Sequence, residues 1–94
     1  MVKRFIEDNF SGNEIKKCFR YGNCYWFAKI LKDRFNGEIM YLPIDNHFVC
    51  KIKGKLYDIT GEVKAEEKVY RWRDYQRIEP IESKRIVKQC ILKI

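Results

Sequence analysis

The stretch DNHFVCKIKGKLYDITG, Asp45 to Gly61, decides the fold, because it reads as two strands folded back on one another and so sorts its side chains between two faces. Strand-type residues run from Asn46 (NHFVCKIK) and from Lys55 (KLYDIT), and Gly54 between them is a natural hairpin turn. If Lys53 and Gly54 are the two turn residues, Ile52 pairs with Lys55, Val49 with Asp58 and His47 with Thr60. Side chains alternate along a strand, so His47, Val49 and Asp58 then share one face, with Asp58 diagonally across from His47. A turn at Gly54 and Lys55 keeps the shared face but sets Asp58 opposite Lys51, too far from His47. The other face carries Phe48, Cys50, Ile52, Tyr57 and Ile59, an apolar set that needs a cover.

Working outward, the upstream stretch GNCYWFAKIL, Gly22 to Leu31, opens a helix. Cys24, Phe27, Ala28, Leu31 and Phe35 recur at i, i+3, i+4, i+7 and i+11, one apolar stripe that ends at Asn36 and Gly37. Asn23 is a favourable N-cap, which sets Cys24 at or near the first helical position. Another strand pattern, EIMYLP, follows from Glu38. Residues 3–10 and 13–20 give short amphipathic helical patterns separated by Ser11, Gly12 and Asn13. The segment EVKAEEKVYRWRDYQRIEP, Glu62 to Pro80, fits a helix and a strand with a loop equally well. After Pro80, the residues Ile86, Val87, Cys90, Ile91 and Ile94 form a helical stripe. The expected fold is α+β, helices packed on a small antiparallel β-sheet. Helices are expected on both faces: the Cys24 helix over Val49 and Leu56, and an N- or C-terminal helix over the other.

The chain has 94 residues, enough for one core, so a single domain spanning 1–94 is expected, with any active site at the edge of that core. Hydrophobic residues at 46% and charged residues at 35% describe an ordered domain rather than a disordered tail. A formal charge of +7 favours acidic partners in general. No apolar run approaches the roughly 18 residues of a spanning helix, and the N-terminal MVKRFIEDNF has no signal-peptide core, so a soluble, cytoplasmic protein without a membrane partner is expected. Cys18, Cys24, Cys50 and Cys90 are then reduced thiols, and with no C-x-x-C and one histidine their spacing fits no zinc site. No metal or cofactor is expected.

A thiol at the start of a helix lies at the positive end of the helix dipole, which favours the nucleophilic thiolate. It then needs a general base and a group that orients the base. His47 is the one histidine in the chain, and Asp58 lies where the hairpin brings it close. Cys18, Cys50 and Cys90 read as core packing. Tyr25 and Trp26 shape a groove beside Cys24 or belong to the core. The segment Tyr70 to Arg77, YRWRDYQR, interleaves aromatics with arginines in a way that can bind nucleic acid. Its interspersed acids favour a solvated surface segment anchored by Trp72.

On these residues the chain resembles a family. GNCYWFA looks like the nucleophile motif of papain-like cysteine peptidases, and the order Cys24, His47, Asp58 is similar to the small transglutaminase-like and NlpC-type members of that superfamily. The resemblance covers roughly residues 20–62. It implies a minimal papain-like core in which Cys24 attacks a carbonyl, His47 moves the proton and Asp58 orients His47. One departure is the oxyanion hole: the papain-type glutamine lies upstream of the cysteine, and no glutamine precedes Gln76 here. The Cys24 N–H then needs a second donor, for which Tyr21 and Asn23 are the candidates, at a value of about 3 kcal/mol of barrier. The expected function is thiol-dependent acyl chemistry on a protein, peptide or small acyl substrate. The alternative is a basic binding module for nucleic acid or an acidic protein.

Overall fold

The structure, a computed structural model, describes residues 2–9 and 24–88. Its elements run α1 (Val2–Asn9), α2 (Cys24–Phe35), β1 (Glu38–Leu42), β2 (His47–Ile52), β3 (Lys55–Asp58), β4 (Gly61–Val63), β5 (Tyr70–Arg71), α3 (Trp72–Ile78) and α4 (Pro80–Ile86). The fold is α+β: helices lie against a five-stranded antiparallel sheet of order β4-β3-β2-β1-β5. The helical pattern expected over 13–20, with Cys18, and the residues Cys90, Ile91 and Ile94 fall outside the described residues.

The β2–β3 hairpin takes the first of the two registers: Ile52 pairs with Lys55, Lys51 with Leu56 and Cys50 with Tyr57. Lys53 and Gly54 form the turn, with φ of 50° and 81°. Two positive φ values in succession match the twist of the flanking strands, and Gly54 meets the second at no steric cost.

The structure corrects the expected placement of the helices. Phe27, Ala28 and Leu31 of α2 pack in one cluster with Phe48, Cys50 and Ile52 of β2, and not with Val49 and Leu56. Val2 and Ile6 of α1, Trp72 and Tyr75 of α3, and Ile86 of α4 join the same cluster. All the described helices therefore cover one face. The physical reason is area: the Phe48 face presents aromatics that only helices are bulky enough to bury. Tyr41 sits among them, its ring 4.9 Å from Phe48, 5.3 Å from Trp72 and 4.8 Å from Tyr75.

The second face, with Met40, Leu42 and Val49 buried, is closed by Val63, Ala65 and Val69 together with Leu56. Ala65 and Val69 belong to a strap that joins β4 at one edge of the sheet to β5 at the other. Four strand spacings make that span about 19 Å, and the seven steps from Val63 to Tyr70 cover about 24 Å when extended, so the strap crosses almost straight. Glu67 pins it at mid-course by accepting the Ile44 N–H at 2.8 Å. The stretch after Gly61 thus holds a strand, a strap, a second strand and a helix in quick succession.

Gly37 sets how closely α2 can return to the sheet. A Cβ at that position would lie 2.6 Å from Cys50 Sγ and 2.8 Å from the Lys51 carbonyl oxygen, so no larger residue fits there. Asn36 at φ 56° turns the chain out of the helix, and the Gly37 N–H donates to the Lys32 carbonyl at 3.2 Å.

Candidate active site

Cys24 is the first residue of α2 and His47 the first of β2. The two meet at the end of the sheet, not across one of its faces. The His47 side chain and the backbone N–H groups of Phe48 and Tyr25 surround the Cys24 sulfur closely enough to draw its pKa down. Helix starts and strand ends both leave N–H groups that regular pairing does not use, which is why donors converge on a thiol placed there. The Tyr25 ring closes the joint by packing edge-on against Phe48 at 5.2 Å.

His47 Nε2 lies 3.0 Å from Asp58 Oδ2, the diagonal contact that the hairpin register allows. With Nε2 engaged by the carboxylate, Nδ1 is the ring nitrogen left for the thiol. Asp58 is held in turn by Thr60, whose N–H donates to Oδ1 at 2.7 Å and whose hydroxyl donates to the same oxygen. This is an Asx-type turn, in which the aspartate caps the backbone two residues on. One carboxylate oxygen serves the turn and the other serves the histidine. On the approach to His47, the Tyr41 hydroxyl bonds to Asn46 Oδ1 at 2.5 Å, tying the residue before the histidine to the aromatic core.

The electrostatics follow from these contacts. Burial raises the Cys24 thiol, but the His47 hydrogen bond, the Phe48 N–H, the imidazolium charge and the Tyr25 N–H together bring it below its ordinary value. His47 is raised to about 9, first by the hydrogen bond to Asp58 and then by that to Cys24, against the cost of burial. Burial also raises Asp58, and here the His47 contact and the two Thr60 bonds prevail, leaving the carboxyl below the usual range. All three shifts favour a thiolate beside an imidazolium beside a carboxylate.

Of the remaining residues expected at the site, Tyr21 and Asn23 lie outside the described residues. Trp26 is 41% exposed, beside Tyr25 at a ring distance of 5.3 Å. A cleft of about 260 Å³ runs between the strap and the far side of the pair, lined by His47, Asp58, Asp45, Lys64 and Glu66 among others. Thr60 was legible in YDIT as a residue two places after an aspartate. Tyr41 and Asn46 carried no such signal, because their contact depends on where the helices place the aromatic core.

The arginine and aromatic segment resolves differently from a base-stacking surface. Trp72 and Tyr75 are buried in the helix-side core, while Arg71 pairs with Glu38 at 3.9 Å and Arg77 with Asp74 at 2.7 Å. No helix among the described residues is long and apolar enough to cross a membrane.

Comparison with known proteins corrects the resemblance drawn from the motifs. No curated protein and no solved structure matches the chain. The profile of the Phage YunG-like protein family matches residues 2–89, far beyond the two short stretches on which the papain-like and transglutaminase-like likeness rested. A cysteine at a helix start and a histidine paired with an aspartate recur on unrelated folds, so they carry no kinship by themselves. By a match over nearly its whole length, the chain belongs to the Phage YunG-like family.

Proposed function

We propose that the protein carries out thiol-dependent acyl chemistry, with Cys24 as nucleophile, His47 as the acid and base, and Asp58 as the residue that orients His47. The observation that carries this reading is the meeting of Cys24, His47 and Asp58, with His47 3.0 Å from Asp58 on one side and acting on the Cys24 sulfur on the other. Three residue types suited to nucleophilic catalysis, far apart in the chain, meet in the order that the chemistry needs.

In the proposed cycle the Cys24 thiolate attacks the carbonyl carbon of an amide, isopeptide or other acyl bond. The tetrahedral oxyanion is met by N–H groups of the first turn of α2, that of Cys24 among them. Imidazolium His47 gives its proton to the leaving amine or alcohol, the bond to the leaving group breaks, and a thioester remains on Cys24. Neutral His47 then takes a proton from water, or from an acceptor amine, as it attacks the thioester. The acyl group departs as acid or as a new amide, and the thiolate and imidazolium are restored. Asp58 keeps its charge throughout and holds the ring with Nδ1 towards the sulfur. A working thiolate also calls for a reducing compartment, so the reading places the protein in the cytoplasm.

Incubation with p-nitrophenyl acetate, followed by mapping of acetylated peptides, tests this directly. The expected result is a stoichiometric burst of nitrophenol with an acetyl group on Cys24, absent from Cys24→Ala and strongly slowed in His47→Ala. Acetylation spread over lysines, or a Cys24 no faster in His47's presence than in its absence, sinks the proposal.

A further inference from the structure

A cavity of about 600 Å³ lies at the other end of α2, where α1, the last turn of α2 and the β2–β3 turn come together. That volume is in the range of small-molecule sites. Cys24 sits about 16 Å away along the helix, so the cavity is no part of the thiol site. Its floor is apolar, made by Val2, Phe35, Ile52 and Tyr57.

Its rim is cationic, contributed by Arg34, Lys53 and Lys55. The acid on the rim, Asp33, is engaged by Lys29 at 3.3 Å, and Lys55 is shared with Glu62 at 3.9 Å. Among the described residues neither Arg34 nor Lys53 has a carboxylate partner. Arg34 is instead carried on aromatic faces, its guanidinium 5.7 Å from the Phe5 ring centre and 5.9 Å from that of Phe35. The C-terminal end of α2 contributes about half a negative charge, which the rim cations outweigh.

Lys53 adds a second, independent observation. It occupies the first turn position at φ 50°, a left-handed conformation that asparagine, aspartate or glycine adopts more easily. That turn holds its cation at the mouth of the cavity, which Lys53 lines.

We infer that this cavity binds a small anionic amphiphile: an apolar body of ring or short acyl size lying on Phe35, Ile52 and Tyr57, with one acidic group held by Arg34 and Lys53. The site is separate from the thiol chemistry proposed above and stands without it.

The probe is 1-anilinonaphthalene-8-sulfonate, titrated by fluorescence into the full chain at low salt, with near-UV circular dichroism verifying native packing. Saturable binding of one equivalent is expected. Lys53→Asn suits the turn and keeps the fold, and should weaken binding roughly three- to tenfold; Lys53→Asn with Arg34→Gln should weaken it further. The uncharged parent, 1-anilinonaphthalene, should bind at least about tenfold more weakly. Octanoate below its micellar concentration should displace the probe, which identifies a free amphiphile as the ligand class. The inference is overturned by equal binding to the double variant, by equal binding of the uncharged parent, or by retention on phosphatidylglycerol vesicles with no displacement by octanoate.

Discussion

Cys24 and Cys50 touch the same apolar cluster and meet opposite fates. Burial raises both thiols, yet Cys24 ends below its ordinary value and Cys50 is pushed up to about 11. Cys50 lies in the middle of β2, paired with Ile39 on one side and Tyr57 on the other. There the backbone N–H groups are consumed by the ladder, and its sulfur is left with the Glu38 N–H and the distant charge of Lys32. Cys24 lies where a helix begins and a strand ends, with two N–H groups and an imidazole turned towards it. The lesson is that burial alone does not silence a thiol. The supply of donors decides, and that supply is greatest where regular structure stops.

The sharpest way to break the comparison is competitive alkylation of the native protein. Iodoacetamide at pH 7 should modify Cys24 many times faster than Cys50, because one thiol is lowered and the other is raised and buried in the ladder. Comparable rates would show that the two environments do not differ as described.

Gly37→Ala attacks the buried side of the pair. The new Cβ meets Cys50 Sγ and the Lys51 carbonyl, and backbone cannot yield as a flexible side chain can. A loss of about 2–3 kcal/mol in denaturant unfolding is expected, with the Cys24 alkylation rate of the folded protein unchanged. A neutral substitution would mean that α2 does not pack this tightly on β2.

His47→Ala attacks the reactive side. Burial then acts on Cys24 without its main offset, so its alkylation at pH 7 should fall roughly tenfold or more. The matching pH dependence has a definite sign. His47 is raised, so its stabilising contribution is complete below about 6.5, its unfolded value, and is lost as pH rises through about 9. Asp58 is lowered, so its contribution is present above its unfolded value and is lost as pH falls through the folded one. Proton NMR of the His47 ring should therefore titrate near pH 9 in the wild type, and at least about one unit lower in Asp58→Asn. An unshifted midpoint would remove Asp58 from the line.

Thr60→Val carries the smallest expected effect. It deletes one of two bonds to Asp58 Oδ1 and leaves the N–H bond in place, so a loss of about 1 kcal/mol of stability and a modest rise of the Asp58 titration are expected. Thr60→Ser should restore both, which separates the hydroxyl from simple packing.

Local pattern made much of this molecule legible. The helix from Cys24 showed in its apolar period, and it ends where Asn36 and Gly37 signal an end. The hairpin showed in its alternation, and the contact of His47 with Asp58 followed from one choice of turn. Residues 62–80 resisted because neither period lasts long enough there: β4 has three residues, β5 two, and the strap between them is extended without a partner strand. Even so, the strap is the cover for Val49, a task first given to a helix.

The sequence by itself determined the elements that depend on neighbours a few residues apart: the stripe of α2 and a hairpin turn at Gly54. It also presented Cys24, His47 and Asp58 as a set, since an imidazole and a carboxylate near a helix-start thiol are a short list in a chain with one histidine. Tertiary structure alone decided that the helices share one face of the sheet, that a strap closes the other, and that Cys24 meets His47 at the strand's end. Those outcomes depend on which apolar surfaces bury the most area when the whole chain competes for them, a balance that no local window contains.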